Sequence, residues 1–378
     1  MSAFTRRVLL AIAALPVAGA ARAAKTPSPP PPPVIGAVAP LTGDLSLVGD
    51  EGKRGIALAV DMINSQGGIA GVPAALVTAN AIDQGHAGAA VGGLINTDHA
   101  NLILSAGTSA LCYPASAAAE LAQTPFIELT ATADGITARG FKYLLRAGPT
   151  TGMIAALAVQ TLQSRHAGRK LGFLFNTGAT GGAIAAATLN ALTAAKTPPW
   201  LTIGYAEGGS DLFEPVGRLK RAGVEIVLHA GGPSEVLAFF TAMVEQSWHP
   251  GAVLGCGDGY GLRETAYAIG PAFEGTAIIA APYYPQDAAS VKAAYVARYG
   301  MEPRAPDSLT AYVGALFTLA ALNKLNGDTN KLLDFLRQSN APPGALPNGF
   351  GVQFDHTGQN TRSFVTLQRW RHGALIPA

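Results

Sequence analysis

The sequence predicts an α/β protein made of two doubly wound parallel-sheet lobes. Three observations carry this reading. The segment from Val34 to Asp83 reads as strand, loop, helix and strand. Apolar strand segments and Ala-rich helical segments then alternate with little interruption as far as Ala280, the order that places helices on both faces of a parallel sheet. Finally, 378 residues exceed what one hydrophobic core supports, so two lobes are expected.

Each element has its own local reason. Val34 to Pro40 is an apolar run that ends in Leu41-Thr42-Gly43, after which Ile56, Ala59, Val60 and Ile63 recur at helical spacing. Gln66-Gly67-Gly68 stops that helix, and Val72 to Asp83 carries the next strand. Further strands are expected at Leu102–Ala106, Phe126–Leu129, Tyr143–Ala147, Lys170–Asn176, Leu201–Tyr205, Val224–Ala230, Ala252–Cys256 and Thr276–Ala280. Between them lie helical segments such as Pro114–Leu121, Ile154–Gln163, Ile184–Ala195 and Val236–Gln246.

The N-terminal residues read as an address. Residues 1–24 hold Arg6-Arg7, an apolar core Val8–Val17 and Ala21-Arg22-Ala23 at the end, the pattern of a cleavable signal peptide. Thr5-Arg6-Arg7-Val8-Leu9-Leu10 also resembles a twin-arginine signal, so export to the periplasm by either the Sec or the Tat route is expected. The apolar core is well short of the roughly 20 residues that a bilayer span needs, and no Cys follows it for lipid attachment. Residues 25–33, ending in Pro29 to Pro33, form a stiff polyproline-type spacer. Without residues 1–24 the chain has 23 basic and 24 acidic side chains, a net charge near −1. Such a balance lacks the concentrated basic face of a nucleic-acid binder.

In a doubly wound fold, ligand chemistry gathers at the carboxyl ends of the strands. Ser109, in Ala106-Gly107-Thr108-Ser109-Ala110, follows a strand and opens a helix. A small hydroxyl with free backbone N–H groups at a helix start forms an anion site, and the same placement suits a serine N-cap. Asp258, in Gly255-Cys256-Gly257-Asp258-Gly259, ends another strand, where it either accepts from a ligand ammonium or caps a helix starting near Tyr260. Asp307, Tyr283, Tyr284 and Tyr312 are read as core or surface residues.

The segment "PLTGDLSLVGDEGKRGIALAVDMINSQGGIAG" resembles the opening of the extracytoplasmic solute-binding proteins of the branched-chain amino-acid (Leu/Ile/Val-binding) family, the type I periplasmic binding proteins. "ATADGITARG", from Ala131, and "GVQFDHTG", from Gly351, match later phrases of that family, so the resemblance runs from Val34 to about Arg371. It implies a three-crossing hinge near Gly148–Thr150, Ala281–Tyr284 and Phe354–Asp355. The N-terminal lobe is then 34–149 plus 282–354, and the C-terminal lobe 150–281 plus 355–378. It also implies a monomer without cofactor or catalysis, which captures a small carboxylate-bearing ligand in the interlobe cleft and delivers it to an inner-membrane ABC permease. A ligand sensor of the same fold acting with a receptor is the alternative.

Site residues follow from the same resemblance. Ser109 falls on the carboxylate-binding serine, Thr132 on the second clamp residue, and Thr130 and Ala131 where backbone groups meet the ligand; Thr108 adjoins them. Asp258, beside Gly259, matches an acid for the ligand amine. Thr180, Val48 and Ala230 stand at or near positions where amino-acid binders carry tyrosines, which widens the range of ligands the cleft could take.

Enzyme signatures are weak by contrast. Thr177-Gly178-Ala179-Thr180-Gly181-Gly182-Ala183-Ile184 opens like the glycine loop of short-chain dehydrogenases, with Glu207 as a ribose-binding acid, but its third glycine is Ile184 and no Tyr-x-x-x-Lys pair exists in the chain. There is no Gly-x-Ser-x-Gly elbow, and the seven histidines form no metal-binding pattern. Cys112 and Cys256 are assigned to different lobes, and a bridge would lock the cleft, so two buried thiols are expected.

Overall fold

The computed structural model describes residues 33–378. The predicted signal peptide and all but the last residue of the spacer lie outside them. The first sheet contains β1 (Val34–Ala39), β2 (Ala75–Asn80), β3 (Leu102–Ser105), β4 (Phe126–Glu128) and β5 (Leu144–Arg146) in the order β2-β1-β3-β4-β5, all parallel. Its helices are α1 (Ser46–Ser65), α2 (Gln84–Asn96), α3 (Ser109–Leu121) and the short α4 (Gly135–Ala138). The chain then crosses into α5 (Thr151–Arg165), whose first turn is capped by Thr150 accepting from the Met153 amide at 3.2 Å.

In the second sheet, β6 (Leu171–Asn176), β7 (Leu201–Tyr205), β8 (Ile226–Ala230), β9 (Ala252–Cys256) and β10 (Ala277–Ala280) are parallel. They alternate with α6 (Ala179–Ala194), α7 (Phe213–Arg221), α8 (Pro233–Glu245) and α9 (Arg263–Ile269). The chain returns to the first sheet through α10 (Ala289–Tyr299), α11 (Asp307–Lys324) and α12 (Leu332–Gln338). Leu309, Tyr312 and Leu316 of α11 join Ile35, Leu104 and Ile127 of the first sheet in one buried cluster. Among the described residues no single helix is long and apolar enough to cross a membrane.

Two features depart from the sequence reading. The second sheet ends in an antiparallel hairpin, β11 (Thr366–Arg371) and β12 (Ala374–Pro377), with β11 antiparallel to β10. His372 and Gly373 turn it with both φ angles positive (51° and 71°), the two-residue geometry that matches strand twist. The other departure concerns the last crossing. The chain does not leave the first sheet at Phe354–Asp355: Arg146 bridges to Gln359, and its amide donates to the Gly358 carbonyl at 2.8 Å.

Both sheets place the ligand region by topology. Strand order reverses between β1 and β3 in the first sheet and between β6 and β8 in the second. At such switch points the loops leave in opposite directions and open a crevice at the carboxyl ends of the strands. The loops after β1, β3, β6 and β8 therefore face one another across the interlobe cleft.

Candidate functional site

The first wall of the cleft begins where β3 turns into α3. Thr108 occupies the N-cap position with extended backbone, yet its hydroxyl caps nothing: Oγ1 has no partner although the residue is only 5% exposed. Ser109 is the first residue of α3, not its cap, and is fully buried. Its Oγ accepts from the Ala133 amide at 3.1 Å. Its own amide donates to Thr180 Oγ1 at 3.3 Å, across the cleft in the other lobe.

The next loop, residues 129–133, is held from behind by two buried charges. Glu128 Oε1 accepts from the amides of Leu129, Thr130 and Ala131 at 3.0, 2.9 and 2.9 Å. Arg146 donates to the carbonyls of Ala133 and Ala131 at 2.6 and 3.4 Å, and to the Gln359 side chain. Burial raises the Glu128 carboxyl and lowers the Arg146 guanidinium. One charge gathers N–H groups and the other gathers carbonyls, so the loop is fixed without a regular ladder. The expectation that backbone groups of Thr130 and Ala131 meet the ligand needs correction for their amides, because Glu128 already occupies both. The Thr130 hydroxyl is likewise engaged, donating to the Gly107 carbonyl at 2.9 Å. Thr132 differs: its Oγ1 is buried without a partner and the residue lines the cleft.

The second wall comes from the other lobe. Thr180, in the first turn of α6, is 9% exposed and accepts the Ser109 bond. Asp258 sits in the turn after β9 and, among the described residues, makes no side-chain hydrogen bond or ion pair. Its capping role is excluded, since α9 begins only at Arg263 and follows Leu262. Burial, followed by the nearby Glu207 and Glu235 carboxylates, pushes the Asp258 carboxyl up to about 6.

Three expected ligand contacts resolve as packing. The Gly259 amide donates to the Gly231 carbonyl at 3.2 Å, and a Cβ on Gly259 would lie 2.4 Å from the Gly232 carbonyl oxygen, so the glycine permits two loops to touch. Val48 packs with Leu262 and Ala305 in an apolar seam between the lobes. Ala230 is fully buried in the second lobe's core.

Two adjoining cavities share Asp258. One, about 60 Å³, is lined by Thr130 and Thr132 of the first wall together with Asp258 and Asp307. The other, about 190 Å³, is lined by Thr108, Thr180, Asp44, Glu207, Glu235 and Asp258. A cavity of roughly 150 Å³ already holds a benzene-sized guest, so the space suits a small molecule. No Lys, Arg or His lines either cavity. At the mouth, Ser234 Oγ donates to Asp44 Oδ2 at 2.9 Å, a second bond between lobes. With the Ser109–Thr180 contact it shows the lobes closed on one another.

Sequence reasoning missed Glu128, Arg146, Asp44, Glu235 and the placement of Asp307. A signal existed for some of them. Glu128 and Arg146 are single charges inside short apolar strands, and Gly232-Pro233-Ser234-Glu235 is a helix-start pattern. Glu235 reaches back to the Gly232 amide at 2.7 Å and also binds the Gly208 amide and Asn176 Nδ2. Among the described residues no group of three or more His, Cys, Asp or Glu side chains is placed to hold a metal ion. Cys112 and Cys256 are both free and buried.

Comparison with known proteins places this architecture. The family model described as periplasmic binding protein matches residues 32–374. A Leu/Ile/Val-binding protein homolog 7 of Brucella suis is 32% identical over 98% of this chain and 95% of its own length. Among solved structures, the branched-chain amino acid transporter substrate binding protein LivJ of Streptococcus pneumoniae, in complex with isoleucine, superposes with a TM-score of 0.81 at 19% identity, covering 91% of this chain and 98% of its own. A solute binding protein of an ABC transporter from Rhodopseudomonas palustris, in complex with 3,4-dihydroxybenzoic acid, gives 0.78 at 18% identity, covering 91% and 95%. With its two doubly wound lobes closed around a shared cleft, the chain belongs to the periplasmic binding protein family.

Proposed function

We propose that this protein is the extracytoplasmic solute-binding component of an ABC importer of the branched-chain amino-acid type. The observation that carries the proposal is the closed cleft: groups from both lobes line the same enclosed space, and the Ser109–Thr180 bond seals it. A ligand touching both walls necessarily binds the closed form better than the open one, which makes closure the signal a permease reads. The protein acts as a monomer, exported through the signal at residues 1–24, by Sec or Tat, to the compartment its family occupies.

The ligand is a small amino-acid-like molecule. Its carboxylate meets the hydroxyls of Thr108 and Thr132 in the first lobe, and its ammonium meets Asp258 in the second. Related structures in complex with isoleucine and with a dihydroxybenzoic acid support a carboxylate-bearing ligand for the fold.

Native mass spectrometry of freshly purified protein should reveal a co-purifying small molecule. After unfolding, dialysis and refolding, adding it back should lower the radius of gyration in small-angle scattering and raise the melting temperature together. Stabilisation with an unchanged scattering profile would leave a static pocket and remove the closure mechanism.

A further inference from the structure

We propose that the ligand carries a second cationic nitrogen, which sits between Asp258 of one lobe and Asp307 of the other. This rests on the solute-binding reading above and names the ligand class that the same cleft takes. Asp307 is the first residue of α11, and Asp258 lies in the turn after β9; they line the 60 Å³ cavity from opposite lobes. Neither carboxylate has a cationic partner among the described residues. Arg304, three positions before Asp307, is already committed: it donates to Asp50 and to Glu264, each at 2.8 Å. Glu51, the other acid close to Asp307, is fully buried and accepts from Tyr295 Oη at 2.6 Å, from the Arg304 amide and from Ser308.

Charge counting across the cleft gives the same answer. Asp44, Glu207, Glu235 and Asp258 line the larger cavity, Asp307 joins Asp258 in the smaller one, and no basic side chain faces either. A neutral zwitterion such as leucine offers one ammonium, which Asp258 takes, and leaves Asp307 facing the smaller cavity without a cationic partner. A ligand with two cationic nitrogens supplies one to Asp258 and one to the Asp258–Asp307 gap. Independent of the acids, the Oγ1 atoms of Thr132, which lines the smaller cavity, and of Thr108, which lines the larger and is 5% exposed, are buried with no partner among the described residues. A buried hydroxyl left unpaired by the protein marks a position that a ligand polar group completes.

Two ligand sources share this chemistry, a basic amino acid and an aliphatic diamine, and the test separates them. Titration calorimetry on the full mature chain would use L-lysine, L-ornithine, 1,4-diaminobutane, L-leucine and benzoate, with the parent protein and with Asp307→Asn and Asp258→Asn. The expected result is that lysine, ornithine or the diamine binds at least tenfold tighter than leucine, and that Asp307→Asn removes that margin. Preference for the two amino acids over the diamine assigns the ligand a carboxylate; the reverse preference assigns a simple diamine, and either supports the second cation. Asp258→Asn should weaken every amine-bearing probe and spare benzoate, which guards against misfolding of one variant. Leucine or benzoate binding as tightly as the dications, unchanged by Asp307→Asn, would overturn the inference and leave the solute-binding reading intact. Failure of all three dications to bind would also overturn it, and the scattering response to leucine or benzoate would then judge the broader reading separately.

Discussion

The two walls of the cleft are built from the same topological device and differ in chemistry. In the first lobe, the loops after β3 and β4 offer hydroxyls from Thr108 and Thr132, and buried charges behind them hold the backbone. In the second, Glu207 after β7, Glu235 in the first turn of α8 and Asp258 after β9 line the cavity beside glycine-rich turns, and Asp258 has no hydrogen-bond partner among the described residues. The contrast teaches that charges buried behind the first wall hold its backbone, while the second wall brings Asp258 to the cavity with no protein group to pair it. Asp44 and Asp307 of the first lobe face the same space, so closure gathers acids from both sides and selects for positive charge.

The largest effect should come from removing the brace of the first wall. Glu128→Ala leaves the amides of Thr130 and Ala131 without their acceptor, while Leu129 keeps the Ser105 carbonyl, and each buried orphan donor costs about 1–3 kcal/mol, so a loss of about 2 kcal/mol or more is expected in urea denaturation. A loss below about 1 kcal/mol would mean that the loop holds its shape without the buried charge.

Two neighbouring hydroxyls sharpen the comparison next. Ser109 Oγ is an acceptor for Ala133, so Ser109→Ala should cost about 1–3 kcal/mol of stability. Thr108 Oγ1 bonds no group among the described residues, so Thr108→Val should change stability by less than about 0.5 kcal/mol while weakening ligand binding about tenfold. Equal stability losses in both variants would show that Thr108 is structural and not part of the binding wall.

The acidic side should betray itself through pH. Burial, then Asp258 and Glu51, push the Asp307 carboxyl up to about 7, against 3.8 for the free group. Between those values the folded chain binds more protons than the unfolded one, so stability falls as pH rises from about 4 to 7. Asp307→Asn should match the parent near pH 4 and exceed it by about 1 kcal/mol or more at pH 8 in the absence of ligand. A constant difference across that range would separate Asp307 from the cleft electrostatics.

The smallest signal is a count. Cys112 lies behind the first wall and Cys256 behind the second, each 1% exposed. Thiol titration without reductant should find no fast-reacting thiol in the folded protein and two per chain after denaturation. Fewer than two would mean that some chains carry a bond joining the walls, and hinge motion would be lost in those chains.

Much of the scaffold was legible because it depends on short-range pattern. Strand bounds from Leu102 to Ala280 differ from the expected ones by no more than two residues, since apolar runs between glycines and polar turns leave few alternatives. The C-terminal hairpin was less visible: in Thr366–Arg371 the apolar residues Leu367 and Trp370 stand three positions apart, off the period of two that marks a strand, and nothing local states its partner or direction. Within the site, Ser109 and Asp258 were read from their positions after strands and Thr132 and Thr180 from the family resemblance, while Val48 and Gly259 sit in packing contacts that only the folded chain displays.

The sequence alone determined the α/β alternation, the two-lobe organisation and the strand ends at which chemistry would gather, because periodicity and turn residues act within a dozen positions of one another. It could not determine which polar groups remain unpaired. Thr108 and Ser109 are adjacent hydroxyls, yet one is free and the other bound, and only the approach of Ala133 and Thr180 from distant loops decides between them. Asp307 and Asp258 are 49 positions apart in the chain, and their meeting exists only once two lobes close, since side-chain chemistry fixes what a group can do and tertiary contact fixes what is left for it to do.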